Sequence, residues 1–160
     1  MELINWVYVV LFFFGIYFLF LFILLHLKYK KELYGYPKPK RFPKISFLTA
    51  AYNEEDSIEG TVRALLSIEY PEGKKEIIVV NDGSKDRTAS IVRKLMKNHK
   101  EIRLIDKKNS GKANSLNQAI KIAKGELIAV VDADSYPGKD SLYKMVGYFE
   151  DKKVAAVTSR

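Results

Sequence analysis

The hydrophobic and polar positions divide the chain into one long apolar segment and a following region in which two periodicities alternate. Residues 3–27 contain no Lys, Arg, Asp or Glu and are rich in Leu, Phe, Ile and Val. A helix of about 20 such residues crosses a hydrocarbon core of roughly 30 Å. We therefore predict a transmembrane anchor over residues 1–34, a basic, proline-rich linker over 35–43 and an α/β domain over 44–160.

A cleaved signal peptide is the alternative interpretation of the apolar segment. The run is longer than the usual apolar region of about 7 to 15 residues in such peptides, and no A-x-A-like cleavage site follows it. We therefore favour a retained, single-pass anchor. Glu2 is the one charged side chain before the run, whereas the residues after it carry a single acid, Glu32, against seven cations: Lys28, Lys30, Lys31, Lys38, Lys40, Arg41 and Lys44. The positive-inside rule then predicts a protein of the cell membrane whose domain is cytoplasmic.

Within the domain, short apolar runs predict five β-strands, at residues 45–51, 76–80, 102–105, 127–131 and 154–158. Stretches with apolar side chains at helical spacing separate them, and we expect Gly125 to end one of these helices as a left-handed cap. Regular alternation of strand and helix predicts right-handed crossovers and a mainly parallel, Rossmann-like sheet. The last strand would lie at an exposed edge and favour self-association of the isolated domain.

The net charge of +8 changes this picture only in what it says about partners. A basic protein suggests nucleic acid, but no nucleic-acid-binding motif accompanies the cations. Those that cluster after the anchor fit anionic lipid headgroups better, so we predict contact with membrane lipid and none with nucleic acid. The chain has no cysteine, which excludes disulfides and thiolate metal sites.

Polar residues follow each of the first four predicted strands, where an α/β sheet usually binds its ligands. After the first strand comes the sequence AYNEE, residues 51–55. A dinucleotide-binding fold needs glycines there so that pyrophosphate can approach the backbone, and two glutamates would repel it. This excludes the Rossmann oxidoreductases. After the second strand, Asp82 in the sequence NDGS could belong to a simple turn or could accept hydrogen bonds from a nucleobase or ribose.

The sequence SGKAN, residues 110–114, resembles half of a phosphate-binding loop. A Walker A motif requires a glycine where Asp106 stands and Ser or Thr where Ala113 stands, so we exclude a P-loop. Lys112 at a helix N-terminus is still well placed to meet a phosphate, although a merely solvated lysine is the alternative.

The fourth strand ends in Asp132-Ala133-Asp134. A hydrophobic strand that ends in two alternating aspartates also occurs in phosphatases with an aspartyl nucleophile. Those enzymes place it on an early strand with further motifs downstream, and only 26 residues follow Asp134 here. We therefore favour a site for Mg²⁺ or Mn²⁺, because carboxylate oxygens are the ligands these cations prefer.

Taken in order, the sequences YNEE, NDGSKDRT, GKANSLN and DADS resemble the family 2 glycosyltransferases with the GT-A fold. GKANSLN, and DADS followed by VAAVTSR, are most similar to the branch of membrane-bound polysaccharide synthases. The resemblance implies a GT-A nucleotide-sugar-binding fold and a metal-assisted, inverting transfer of a sugar to a glycan or lipid-linked acceptor, with a UDP-sugar as the expected donor.

Carried over position by position, the resemblance implies a nucleotide pocket lined by Ala51, Tyr52 and Glu54, with Asp82 at the base. Lys112 would lie by the diphosphate or the base, and Asp132 and Asp134 would bind the nucleotide sugar through Mg²⁺ or Mn²⁺. The family's general base and its Gln-x-x-Arg-Trp motif do not occur in this sequence. We therefore predict an incomplete, donor-binding half without a catalytic residue of its own. The alternative is a non-catalytic binding or assembly subunit that needs a partner chain.

Overall fold

The computed structural model describes residues 2–158, with the side chains of residues 3–30 and 35–158. Predictions that involve Met1, Ser159 or Arg160, or the side chains of Glu2 and of residues 31–34, therefore lie outside the described residues. The chain forms two compact units, and the boundary between them falls after Pro37.

The first unit contains a single helix, α1, from Glu2 to Tyr34. Its segment Leu3–Lys30 has a mean hydropathy of 2.8 and buries none of its side chains. In the part of the chain that the structure describes, it is the one helix long and apolar enough to cross a membrane. A signal sequence near the N-terminus can also meet this criterion of length and hydropathy.

The second unit is built on a four-stranded sheet in which all strands are parallel. The strands are β1 (Ile45–Ala51), β2 (Lys75–Asp82), β3 (Ile102–Lys107) and β4 (Leu127–Val130), in the order β3-β2-β1-β4. Residues 77–80 of β2 are fully buried, as expected for a central strand covered on both faces. The structure thus confirms the predicted α/β fold. Because the strands are parallel, their carboxyl ends meet at one edge of the sheet.

The helices cover the two faces of the sheet unequally. They are α2 (Ile58–Ser67), α3 (Thr88–Met96), α4 (Lys112–Ile122) and α5 (Ser141–Val146), followed by a 3₁₀ helix at Gly147–Glu150. The larger core lies under α2, α3 and α5. The smaller core lies under α4 and consists of four buried residues: Leu48, Ile78, Val80 and Ala119. Successive side chains of β1 point alternately into the larger and the smaller core, so this one strand contributes to the packing on both faces of the sheet.

Part of the predicted linker packs on the domain. The backbone N–H groups of Lys40 and Arg41 donate to Glu150 Oε1, and the ring of Phe42 lies 5.4 Å from that of Tyr70. The phenol of Tyr70 donates to Pro43 O at 2.7 Å. These contacts hold residues 40–43 against the domain directly before β1 begins.

The predicted role of Gly125 as a left-handed helix cap is wrong. Helix α4 ends at Ile122, its C-cap Ala123 is extended, and the glycines with positive φ are Gly73, Gly83 and Gly111. Gly125 instead allows two backbones to approach, because a Cβ atom there would lie 2.5 Å from Ser46 N.

The predicted fifth strand at residues 154–158 is also wrong. This segment pairs with no strand among the described residues, and Val154 and Val157 are half-buried while Ala155 and Ala156 are exposed. That spacing of three does not match the alternation of a strand. The edge strands of the described sheet are therefore β3 and β4, and Ile128 and Val130 of β4 are exposed. Self-association through an edge stays a prediction, and β4 is now the strand that would mediate it.

Candidate active site

A cavity of about 280 Å³ opens where the carboxyl ends of β1, β2 and β4 meet. It contains all seven residues predicted from the sequence, together with two alanines; the lining residues are Ala50, Ala51, Tyr52, Glu54, Asp82, Lys112, Asp132, Ala133 and Asp134. Four of them are acids and one is a lysine. The acids give the cavity an excess of negative charge. It can therefore bind a negatively charged ligand only if further cations neutralise these acids.

Asp82 is the last residue of β2 and is almost completely buried, with 3% of its surface exposed. Its Oδ1 accepts hydrogen bonds from Lys107 Nζ and from Ser110 N at 2.8 Å, and its Oδ2 accepts one from Gly111 N at 2.8 Å. Burial raises the pKa of Asp82, but these hydrogen bonds outweigh burial and hold the pKa below its usual value. Asp82 is therefore an ionised group that fastens residues 107–111 to the rim.

Glycines make this attachment possible. Gly111 has φ of 90° and is the N-cap residue of α4, and Gly83 has φ of 75°. A Cβ atom on Gly83 would lie 2.6 Å from Asn109 N. The two loops can therefore pack closely only with glycine at position 83.

Lys112, the first residue of α4, forms an ion pair with Asp132. Its Nζ lies 2.6 Å from Asp132 Oδ1, and the two side chains are 61% and 55% exposed. Lys112 thus lies at the N-terminal, positive end of the α4 dipole. The lysine is accessible enough to bind a phosphate that enters the cavity.

The Asp-Ala-Asp sequence is held by its middle residue. Ala133 is buried, and its carbonyl accepts a hydrogen bond from Thr61 Oγ1 at 2.7 Å. Ser135 N donates to Asp132 O at 3.1 Å, which turns the chain after β4. Asp132 and Asp134 therefore both stand exposed at the cavity on either side of an anchored alanine.

The residues at this position fit a hard divalent cation in part. Carboxylate oxygens are its preferred ligands, and Mg²⁺ commonly binds through one or two carboxylates with phosphate and water completing its shell. Within residues 2–158 as described, no group of three or more His, Cys, Asp or Glu side chains is placed to hold a metal. Asp132 and Asp134 could therefore hold such an ion only together with a ligand that brings its own oxygens.

Tyr52 and Glu54 form the rim of the cavity next to β1. The ring of Tyr52 is about half exposed, and Glu54 Oε2 accepts a hydrogen bond from Ser57 Oγ at 2.7 Å. Ala51, at the end of β1, is buried and leaves room at the cavity floor. A flat ring and a fixed carboxylate are suitable contacts for a nucleoside.

The sequence analysis missed Lys107, whose side chain is only 12% exposed and pairs with Asp82. Lys107 is the last residue of β3, but in the sequence it stands in a run of polar residues and resembles a surface lysine. The sheet register is the signal that would have identified it, because Asp82 and Lys107 are direct partners on neighbouring strands. Register becomes readable only once the strand order is known.

Comparison with known proteins identifies relatives of this domain. The family model "Glycosyl transferase family 2" matches residues 46–160. A poly-beta-1,6-N-acetyl-D-glucosamine synthase of Staphylococcus epidermidis is 45% identical over 116 residues, which are 71% of this chain and 27% of the relative. The chain therefore spans about a quarter of the length of that curated relative.

Two solved structures share the fold. The mannosyltransferase PcManGT from Pyrobaculum calidifontis, in complex with GDP-Man and Mn²⁺, aligns with a TM-score of 0.70 and 31% identity over 82% of this chain and 41% of its own. TarS 1–349 of S. aureus, in complex with UDP-GlcNAc, aligns with a TM-score of 0.61 and 32% identity over 68% of this chain and 31% of its own.

Proposed function

This chain belongs to glycosyl transferase family 2, and we propose that its domain binds a UDP-sugar at the cavity and donates the sugar to a glycan or lipid-linked acceptor. The observation that carries the proposal is the meeting of Asp82, Lys112, Asp132 and Asp134 in one cavity at the carboxyl edge of the sheet. UDP is proposed because the TarS structure contains UDP-GlcNAc and the synthase relative makes a polymer of N-acetylglucosamine.

In the proposed complex, the residues of the cavity divide the donor between them. Tyr52, Ala51 and Glu54 contact the nucleoside, and Asp82 receives a hydrogen bond from the base. Lys112 leaves Asp132 and pairs with the diphosphate, where the N-terminus of α4 adds further positive potential. Asp82 reaches the base if the donor replaces one of the backbone N–H groups that now bind its carboxylate.

Asp132 and Asp134 would hold Mg²⁺ or Mn²⁺ against the diphosphate, and PcManGT was solved with Mn²⁺. Such an ion, when bound, neutralises the charge that develops on the leaving diphosphate. Its two positive charges would offset most of the excess of negative charge that the four acids of the cavity create. Without the ion, Lys112 is the one cation that lines the cavity as described.

Transfer also needs a group that takes the proton of the acceptor hydroxyl as that oxygen attacks the anomeric carbon and the bond to the diphosphate breaks. We assign this base to none of the residues of this sequence, and propose that a further segment or a partner chain supplies it. Donor binding is thus the step for which these residues are sufficient. The apolar helix α1 and the cations that follow it support a site on the cytoplasmic face of the cell membrane, close to lipid headgroups.

Isothermal titration of the full chain in detergent tests the proposal. We expect UDP to bind, GDP to bind more weakly, and Mn²⁺ or Mg²⁺ to increase UDP affinity at least tenfold. Asp134→Ala should abolish that increase, whereas Asp151→Ala, an exposed acid outside the cavity, should preserve it. Equal UDP affinity with and without metal would contradict the metal role, and absence of nucleotide binding would contradict the function.

Release of UDP from a UDP-sugar by the purified chain separates a complete transferase from a subunit that only binds donor.

A further inference from the structure

Two segments of the rim are joined by hydrogen bonds from backbone to side chain. Three consecutive N–H groups after β1 donate to three side chains after β2: Asn53 N to Ser84 Oγ at 3.0 Å, Glu54 N to Thr88 Oγ1 at 2.8 Å, and Glu55 N to Asp86 Oδ2 at 3.1 Å. We call these six residues the clasp. In the opposite direction, Lys85 N donates to Asn53 Oδ1 at 2.9 Å.

The backbone N–H groups of the clasp can only donate, and Asp86 determines the direction in which the Thr88 hydroxyl points. Burial raises the pKa of this carboxyl, but the hydrogen bonds from Thr88 and Glu55 hold the pKa below its usual value, so Asp86 is ionised and only accepts. The Thr88 hydroxyl has one hydrogen, and its oxygen lies 2.6 Å from Asp86 Oδ1. That hydrogen therefore points at Asp86, which leaves a lone pair of Thr88 Oγ1 to accept the N–H of Glu54.

The clasp fixes an uncommon backbone conformation at the edge of the cavity. Asn53 has φ of 55°, a left-handed conformation that non-glycine residues rarely adopt. Its neighbours Tyr52 and Glu54 line the cavity, and Asp82 lies two residues before Ser84 on the opposite side. The clasp thus sets where two walls of the cavity stand relative to each other.

Capping of α3 explains only part of this arrangement. Asp86 accepts a hydrogen bond from Thr88 N at 3.0 Å, as a residue before a helix commonly does. Capping does not explain why Thr88 and Asp86 also accept hydrogen bonds from the N–H groups of Glu54 and Glu55, since these two residues belong to the loop after β1. Thr88, fully buried, contributes its hydroxyl to that loop.

We propose that Asp86 and Thr88 are positioning residues for the donor: neither lines the cavity, and both hold residues 53–55 so that Tyr52 and Glu54 meet the nucleoside. This inference rests on the proposed function. It predicts that loosening the clasp weakens donor binding although every cavity residue is retained.

Two substitutions of Thr88 test the clasp in the full chain. Thr88→Val keeps the shape but removes the hydroxyl, and Thr88→Ser keeps the hydroxyl. We expect Thr88→Val to accelerate hydrogen exchange of a peptide that contains Glu54 and Glu55 at least tenfold, and to raise the Kd for UDP in the presence of Mn²⁺ at least fivefold. Thr88→Ser should restore both values to within twofold of the unmodified protein.

Ser90→Ala is the matched control, because Ser90 donates to Arg87 O in the first turn of the same helix and does not contact residues 53–55. It should leave both values unchanged. If Thr88→Val does not fold, Asp86→Asn replaces it. Its amide places a donor against either Glu55 N or Thr88 N, which breaks the clasp in both orientations, so the same two changes are expected. An unchanged Kd in the folded variant, or an equal increase in Ser90→Ala, overturns the proposal.

The same experiment separates this inference from the function on which it rests. If the unmodified protein does not bind UDP, the proposed function fails. The clasp is then judged by hydrogen exchange alone, and equal exchange rates in Thr88→Val and the unmodified protein overturn it.

Discussion

The central strand β2 carries a buried carboxylate near each end, and the two resemble each other closely when considered alone. Glu76, near its amino end, is 6% exposed, and Asp82, at its carboxyl end, is 3% exposed. Burial raises the pKa of both groups, yet in each case hydrogen bonds hold the pKa below the usual value. By burial and charge, neither group is the better candidate for a functional site.

Their surroundings distinguish them. Glu76 Oε1 accepts hydrogen bonds from Ser46 Oγ and Lys124 N, and Gly125 packs against Ser46 without space for a side chain. Asp82 instead adjoins a cavity of about 280 Å³ with two more aspartates. A buried carboxylate with a shifted pKa indicates a functional site only where a ligand has room to enter.

The largest effect expected from this difference is a loss of stability when Glu76, at the amino end of β2, is replaced. Glu76→Ala leaves the Ser46 hydroxyl and the Lys124 N–H without their acceptor, which we expect to cost about 3 kcal/mol of the free energy of unfolding. Urea unfolding of the full chain, followed by fluorescence, measures this cost. UDP affinity of the folded variant should remain unchanged.

Glu59→Ala is the control for this substitution, because Glu59 forms an exposed pair with Arg63 within α2 and should affect unfolding little. A loss of UDP affinity in folded Glu76→Ala would show that the two ends of β2 are not functionally distinct.

A smaller loss of stability, together with a loss of UDP binding, is expected when Asp82, at the carboxyl end of β2, is replaced. Asp82→Asn leaves the nearly buried Lys107 without a counter-charge and places an amide donor against Ser110 N or Gly111 N, at a cost of about 2 kcal/mol. The Kd for UDP should rise at least tenfold, because residues 107–111 lose the attachment that places Lys112.

The pH dependence identifies the source of this cost. The pKa of Asp82 is lower in the folded protein, so its stabilisation is complete above the unfolded pKa of about 3.9 and disappears as the pH falls through the folded pKa. The difference in unfolding free energy between the unmodified protein and Asp82→Asn should therefore be constant at pH 5–7 and decrease below about pH 4. Asp140→Asn, in an exposed pair with Lys144, should show little difference at any pH. A difference for Asp82→Asn that does not decrease in acid would contradict the ion-pair explanation.

The sequence was sufficient to predict the strands of the sheet and the polar residues that line the cavity at their carboxyl ends. Apolar runs predicted the four strands of the sheet, and polar residues after them predicted a rim with Asp82, Lys112, Asp132 and Asp134. Both inferences depend on local periodicity and on the rule that parallel strands end at one edge.

What the sequence did not reveal depends on contacts between distant segments. Lys107 and Thr88 resemble surface residues until the strand order places them beside Asp82 and Glu54. Gly125 resembles a helix cap, although its function is to let the backbone approach Ser46. Residues 154–158 resemble a strand by composition, but a strand also needs a neighbour with free hydrogen-bonding groups in register.

The smallest expected effect on stability, and the sharpest contrast with Glu76, concerns Lys112. Its pair with Asp132 is largely exposed, and such pairs contribute about 0 to 1 kcal/mol. Lys112→Met should therefore leave urea unfolding nearly unchanged but raise the Kd for UDP about three- to tenfold, because a cation that meets the diphosphate is lost. Lys121→Met is the matched control, since Lys121 is an exposed lysine in the last turn of the same helix, far along α4 from the cavity. Equal UDP affinities in the two variants would remove Lys112 from the site. A selective loss in Lys112→Met would show that an exposed ion pair with negligible weight in folding contributes to binding, whereas the buried Glu76 contributes only to folding.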